Sequence, residues 1–238
     1  MKTKPINEIM ADIKNDVNRK NLKRIKYTLE DVNNISIMVR YWNDIGNIVI
    51  PAKFDMEGKR INPYKVNNIE VIRRLIFYIH GLPQDCFDEN KGILLFGNVG
   101  TGKTTYFRIL EQYRKIDNVL LFNEKEKSFI PYAFLIISSR KMVQDYQENG
   151  YEGIEHYFKR TVLCIDDLGS EETISNNYGT KCEVLNEIIE RRYIDGLFTH
   201  ITTNLNSDSI CDKYGDRVYS RLKEMCNRIE IKGIDLRC

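Results

Sequence analysis

The sequence lacks the markers of several large protein classes. Its six cysteines (Cys86, Cys164, Cys182, Cys211, Cys226 and Cys238) contain no Cys-x-x-Cys pair and no histidine at ligand spacing, so neither a zinc centre nor a disulfide scaffold is expected. No run approaches the roughly 18 apolar residues of a membrane span, and no apolar stretch follows the N-terminal lysines as a secretory signal requires. A reducing, cytoplasmic setting with no membrane partner is the expectation. Excess charge is also missing. Lys and Arg number 36 against 34 Asp and Glu, a formal net charge of +2, so a nucleic-acid contact has to come from a local patch. There is no internal repeat and no low-complexity tract. With 238 residues, 42% of them hydrophobic, the chain has the material for a sizeable core.

Against this background one segment carries specific chemistry. Gly97-Asn98-Val99-Gly100-Thr101-Gly102-Lys103-Thr104 follows the short apolar run Gly92-Ile93-Leu94-Leu95-Phe96 and opens a stretch of helical spacing from Thr104 to Arg114. Glycines let the backbone curl so that successive N–H groups point at phosphate oxygens, and the helix start adds its positive dipole end. Lys103 is placed to reach the β- and γ-phosphates, and the Thr104 hydroxyl suits magnesium. The expected nucleotide contacts run from Gly97 through Thr105.

From Gly92 onward, apolar runs alternate with helical segments, which predicts a parallel sheet covered on both faces. Candidate strands are 92–96, 133–138, 161–165, 199–203 and 228–232. Before them, Asn67 to His80 has the i, i+3, i+4 apolar spacing of a helix, closed by Gly81-Leu82-Pro83. Residues 51–63 read as a connector. The polar first fifty residues carry Ile6, Ile9, Ile13, Val17, Val39, Trp42 and Ile45 at spacings of short amphipathic helices.

The strand Val162-Leu163-Cys164-Ile165 ends in Asp166-Asp167. Acids at the carboxyl edge of a parallel sheet face the ligand crevice. Hydrolysis needs one carboxylate for the magnesium shell and one for the attacking water, which assigns Asp166 to metal and Asp167 to water. Standing alone, the pair would read as a turn or helix cap. Glu171 is an alternative base, because Gly169 permits a tight turn back. Asn204 ends the strand Thr199-His200-Ile201-Thr202-Thr203. It can bond the water and a γ-phosphate oxygen if that strand lies between the loop strand and the aspartate strand, and otherwise simply opens a turn. Arg217 and Arg221, four apart, share a helix face. They are either surface charge or a group that neutralises a neighbouring subunit's γ-phosphate.

The order of these motifs resembles the AAA+ ATPases of the DnaC/IstB group, bacterial helicase loaders and transposition helper ATPases. The likeness rests on Lys91 to Gly97 entering the phosphate loop, Ile165 to Glu171, Glu190-Arg191-Arg192-Tyr193, Ile201 to Asn204, and Tyr214 to Cys226 followed by Gly233-Ile234-Asp235-Leu236-Arg237. It spans residues 67–238. The resemblance implies a five-stranded AAA+ core without a C-terminal lid, spanning 61–238, behind a small, mostly helical partner-binding region, 1–60. Asn204 looks like the group's sensor asparagine and Arg221 like its arginine finger, with Arg217 second. It implies ATP shared between neighbouring subunits, magnesium, single-stranded DNA and a replicative helicase as partner. The first sixty residues match no pattern of the group and lack the cysteine cluster some loaders carry.

For DNA, Ser138-Ser139-Arg140-Lys141 at a helix start offers either phosphate contacts or a plain capped helix. The basic cluster Arg19, Lys20, Lys23, Arg24 and Lys26 offers a patch or a solvated face. Tyr146, Tyr151 and Tyr157 fit core packing better than base stacking. The competing functions are a helicase loader, an IstB-type transposition helper, a nucleotide switch with negligible turnover and, from another class, a small-molecule kinase. The kinase is disfavoured because the arginines sit beside the fifth strand rather than in a mobile lid.

Overall fold

The computed structural model describes residues 22–24, 35–116, 118–123, 126–177 and 180–233. At its centre a five-stranded parallel sheet has the order β10-β2-β9-β6-β5. The strands are β2 (Gly92–Phe96), β5 (Phe134–Ser138), β6 (Val162–Leu168), β9 (Phe198–Thr203) and β10 (Cys226–Glu230). Three further short strands, β1 (Leu22–Arg24), β3 (Leu120–Asn123) and β4 (Ser128–Pro131), form a separate antiparallel sheet, and β7 (Ser175–Asn177) pairs with β8 (Thr180–Cys182).

Alternation along each central strand feeds two apolar layers. Ile93 and Leu95 of β2 and Val162 and Cys164 of β6 pack with helices α1 (Ile35–Val49), α2 (Ile69–Ile79) and α3 (Lys103–Ile116). Leu94, Leu163, Ile165 and Ile201 point the other way, onto α4 (Ser139–Lys159), α5 (Val184–Ile194) and α6 (Ser207–Met225). Helix α2 starts where Asn68 accepts the Val71 N–H at 3.1 Å, an N-cap that satisfies one otherwise orphaned donor. Its apolar face, Val71, Ile72, Leu75, Ile76 and Ile79, is buried as its spacing requires. Trp42 of α1 is wholly buried in the same layer, 6.4 Å from the Tyr106 ring of α3.

Several boundaries differ from expectation. The fifth strand runs from Cys226 rather than 228, because α6 passes into it at Met225 without a turn and its register pairs Cys226 with Gly92 and Glu230 with Phe96. The aspartate strand does not stop at 165. It continues to Leu168 through a register break between Ile165 and Leu168, with Asp167 in a left-handed conformation (φ +56°). Both long helices on the second face are kinked at glycine, α4 at Gly150 and α6 at Gly215. Residues Ile6, Ile9, Ile13, Val17, Arg19, Lys20 and Lys26, and the C-terminal 234–238, lie outside the described residues. Tyr146 and Tyr157 are buried as core, whereas Tyr151 is half exposed.

Candidate nucleotide-binding site

The phosphate loop links β2 to α3, and its shape follows from its glycines. Gly97, Gly100 and Gly102 have φ of +141°, +80° and +84°, conformations that L side chains rarely adopt. Gly97 also has no room for one, since a Cβ there would meet the Ile231 carbonyl oxygen at 2.3 Å. Thr101 closes the loop by donating to the Asn98 carbonyl at 2.9 Å. Lys103, at the first turn of α3, is buried and donates to the carbonyls of Gly97 (2.7 Å) and Asn98 (2.6 Å). Val99 through Thr105 line a cavity of about 1110 Å³ together with both aspartates and Asn204.

The strand order meets the condition set for Asn204: β9 lies between β2 and β6. The ends of β6 and β9 and the loop that follows β2 line this cavity. Asp166 Oδ1 accepts the Thr104 hydroxyl at 2.8 Å and the Thr202 hydroxyl at 2.7 Å, so one carboxylate oxygen gathers two hydroxyls. Thr202 also accepts the Asp167 N–H at 2.8 Å. Asp167 Oδ1 accepts from Asn204 Nδ2 at 2.8 Å. Thr202 was not singled out by sequence reasoning, although it lies inside the motif that supplied Asn204. The cavity wall is also built from Ile50, Ile61, Pro63, Tyr64 and Tyr106, with the polar Asn62, Lys65 and Asn67 beside them, a set with no recognisable motif to which the connector gives Ile61, Asn62 and Pro63.

Glu171, the alternative base, does not line the cavity. Its carboxylate is buried, accepting the Gly169 N–H at 3.0 Å on one oxygen and the Tyr214 hydroxyl on the other, with Lys213 Nζ at 3.4 Å. Burial, and then the Glu171 charge, push the Tyr214 phenol up, which keeps Tyr214 the donor of that pair.

Arg221 and Arg217 lie on α6 and do not line their own chain's cavity. Both contact Glu190 Oε1 of α5, at 2.7 Å from Arg221 Nη1 and 3.1 Å from Arg217 Nε. The Arg221 contact is close in distance but lacks the alignment of a hydrogen bond. Arg221 also stacks at 5.1 Å on the Tyr193 ring, and its side chain is 15% exposed against 68% for Arg217. At the head of α4, Ser138 caps the helix by accepting the Lys141 N–H at 3.2 Å. Arg140, itself exposed, lines the cavity and donates to the Ser170 carbonyl at 2.7 Å, which ties it to the acid loop. Lys141 pairs with Asp145 at 2.8 Å.

Strand order, phosphate loop and paired acids define a phosphate-loop α/β protein of the AAA+ arrangement. The fold is similar to that of two solved structures: DnaI, with a TM-score of 0.54 and 20% identity over 73% of this chain and 88% of that one, and the DnaC helicase loader, with a TM-score of 0.51 and 20% identity over 81% and 99%. No protein-family model and no curated protein matches the sequence. At this identity the likeness is one of fold, and it agrees with the DnaC-like AAA+ architecture read from the motifs. Among the described residues, no helix is long and apolar enough to cross a membrane.

Proposed function

We propose that the chain binds ATP with magnesium in this cavity and hydrolyses it, and that the site is completed by an arginine of a neighbouring copy. The observation that carries this reading is the convergence on one cavity of a phosphate loop, a carboxylate that gathers two hydroxyls, and a second carboxylate held by Asn204. Thr104 and Asp166 are hard oxygen donors of the kind magnesium takes. Magnesium, when bound, neutralises phosphate charge. Lys103 leaves the Gly97 and Asn98 carbonyls for phosphate oxygens. Asp167, oriented by Asn204, takes the proton of a water whose oxygen bonds to the γ-phosphorus as the bond to the bridging oxygen breaks. Arg221 of the neighbour, with Arg217 beside it, offsets charge on the departing phosphates. The wall of Ile50, Ile61, Pro63 and Tyr64 receives the base.

We further propose a cytoplasmic replication role like that implied by the helicase-loader resemblance: assembly on single-stranded DNA and delivery of a replicative helicase. Residues 1–60 are the candidate partner-binding region. Its helix α1 is anchored on the ATPase core by Trp42, and Ile48 on that helix and Phe54 and Met56 after it are exposed. The test is the ATP hydrolysis rate measured across protein concentrations, with and without single-stranded DNA. The reading requires a specific rate that rises with protein concentration and responds to DNA. A rate that is zero under all conditions, or flat in concentration, contradicts it. Capture by residues 1–60 of a transposase in place of a helicase would move the assignment to a transposition helper.

A further inference from the structure

The five residues from Asp167 to Glu171 form the loop that carries the water-facing acid. Each of their five carbonyls is held by a side chain. Ser139 donates to Asp167 O (2.9 Å), Thr203 to Leu168 O (2.7 Å), Lys213 to Gly169 O (2.8 Å), Arg140 to Ser170 O (2.7 Å) and Lys213 again to Glu171 O (2.6 Å). The loop's own turn is closed by Ser170 N–H on Asp167 O at 3.1 Å. A turn on a protein surface is ordinarily satisfied by water. Here one ammonium holds two of the five carbonyls, and its companion Tyr214 holds the Glu171 carboxylate, which itself folds back on Gly169 N–H.

This fastening has an identifiable task. Asp167 has φ +56°, a left-handed conformation uncommon for a residue other than glycine and one that clusters at functional sites where the surroundings hold it. It is this conformation that accompanies the Asp167 carboxylate's contact with Asn204. Lys213 sits on α6 two residues before the Gly215 kink (φ +81°), beyond which the same helix carries Arg217 and Arg221. The segment that clasps the acid loop and the segment that presents the arginines are thus two halves of one helix with a bend between them.

We propose that Lys213 is a positioning residue for ATP hydrolysis: with Glu171 and Tyr214 it holds loop 167–171 so that Asp167 is aimed at the attacking water of its own subunit. The inference rests on Asp167 being the water-orienting acid. Lys213 does not line the nucleotide cavity, so its loss leaves nucleotide binding in place and acts on turnover.

The test uses the full chain, with the nucleotide Kd read from a fluorescent ATP analogue and kcat from phosphate release. Lys213→Met should lower kcat about tenfold or more, as displacement of a catalytic group by a misplaced support does, with Kd within about twofold of the unaltered protein. Lys213→Arg should recover part of kcat, and Tyr214→Phe, which removes one hydroxyl, should lower kcat less. If Lys213→Met melts below the assay temperature, the Lys213→Arg and Tyr214→Phe pair carries the comparison. A kcat within twofold for folded Lys213→Met, or a loss of kcat matched by an equal loss of binding, overturns the proposal.

Mixing then separates it from the reading beneath it. Lys213→Met subunits still supply arginines, so they should restore activity to Arg221→Ala subunits but not to Asp167→Asn subunits. The opposite pattern would place the effect of Lys213 on the arginines and overturn it. If Asp167→Asn alone hydrolyses ATP normally, the assignment of Asp167 fails. In that case a kcat defect in Lys213→Met no longer supports a positioning role.

Discussion

Replacing Thr202 with valine removes one hydroxyl and keeps a β-branched shape on a central strand. That hydroxyl, 1% exposed at the residue level, donates to Asp166 at 2.7 Å and accepts the Asp167 N–H at 2.8 Å. Valine leaves the N–H without its acceptor and takes one of two hydroxyl donors from the Asp166 carboxylate. A hydrogen bond to a charged group contributes about 1.5–3 kcal/mol, and a buried unsatisfied donor costs a similar amount. The cavity edge admits water, which offsets part of this, so a loss of about 1–2 kcal/mol is expected. In a domain of this size that lowers the melting temperature by roughly 2–8 °C. Function should suffer more than stability. Residues that orient a metal ligand from behind typically change affinity or activity by about 10–100-fold, and Thr202 orients both acids at once. Phosphate release should therefore fall by about that factor below the melting temperature, with the magnesium concentration for half-maximal rate raised. A Thr202→Val protein that hydrolyses ATP within twofold of the unaltered rate at low magnesium would refute the claim that β9 organises the acids.

Three further outcomes are expected. Lys103→Ala should abolish binding of a fluorescent ATP analogue, since its ammonium is the cation buried within the phosphate loop. Asp167→Asn should retain that binding and lose about 100-fold or more in turnover, the size of a general-base contribution. Arg192 is wholly buried and donates to Tyr157 O, Arg160 O, Phe198 O and the Thr199 hydroxyl. Arg192→Met strands three carbonyls at about 1 kcal/mol or more each, so a thermal melt should fall by roughly 6–12 °C, while nucleotide affinity at low temperature is unchanged.

Much of the site could be read from the chain because it is written in contiguous words. The phosphate loop and Asp166-Asp167 each lie within a few residues of an apolar run, and their chemistry follows from residue type and spacing. Asn204 was conditional, because its value depends on β9 lying between β2 and β6, a matter of strand order that spacing does not encode. The arginines were legible as a pair but not as partners of Glu190, which comes from another helix. The setting of Glu171 was hidden for a related reason. Its position near Gly169 is local, whereas the Lys213 and Tyr214 that contact its carboxylate lie some forty residues away. The strands of the antiparallel sheet and of the β7–β8 hairpin are three or four residues long, too short for a period of two to declare itself. The fifth strand was displaced by two residues because no glycine or proline marks the end of α6.

The central claim is that one subunit's acids act with a neighbour's arginine on the same ATP. Asp167→Asn and Arg221→Ala each leave half of such a site intact. Measured separately, each should bind ATP and hydrolyse little of it. Mixed in equal amounts, half of the subunits keep the acid and half of their neighbours keep the arginine, so about a quarter of the head-to-tail contacts are complete. Phosphate release should then return to about that fraction of the unaltered rate. Two inactive variants that stay inactive at every mixing ratio, under conditions where the unaltered protein shows concentration-dependent hydrolysis, would contradict the account.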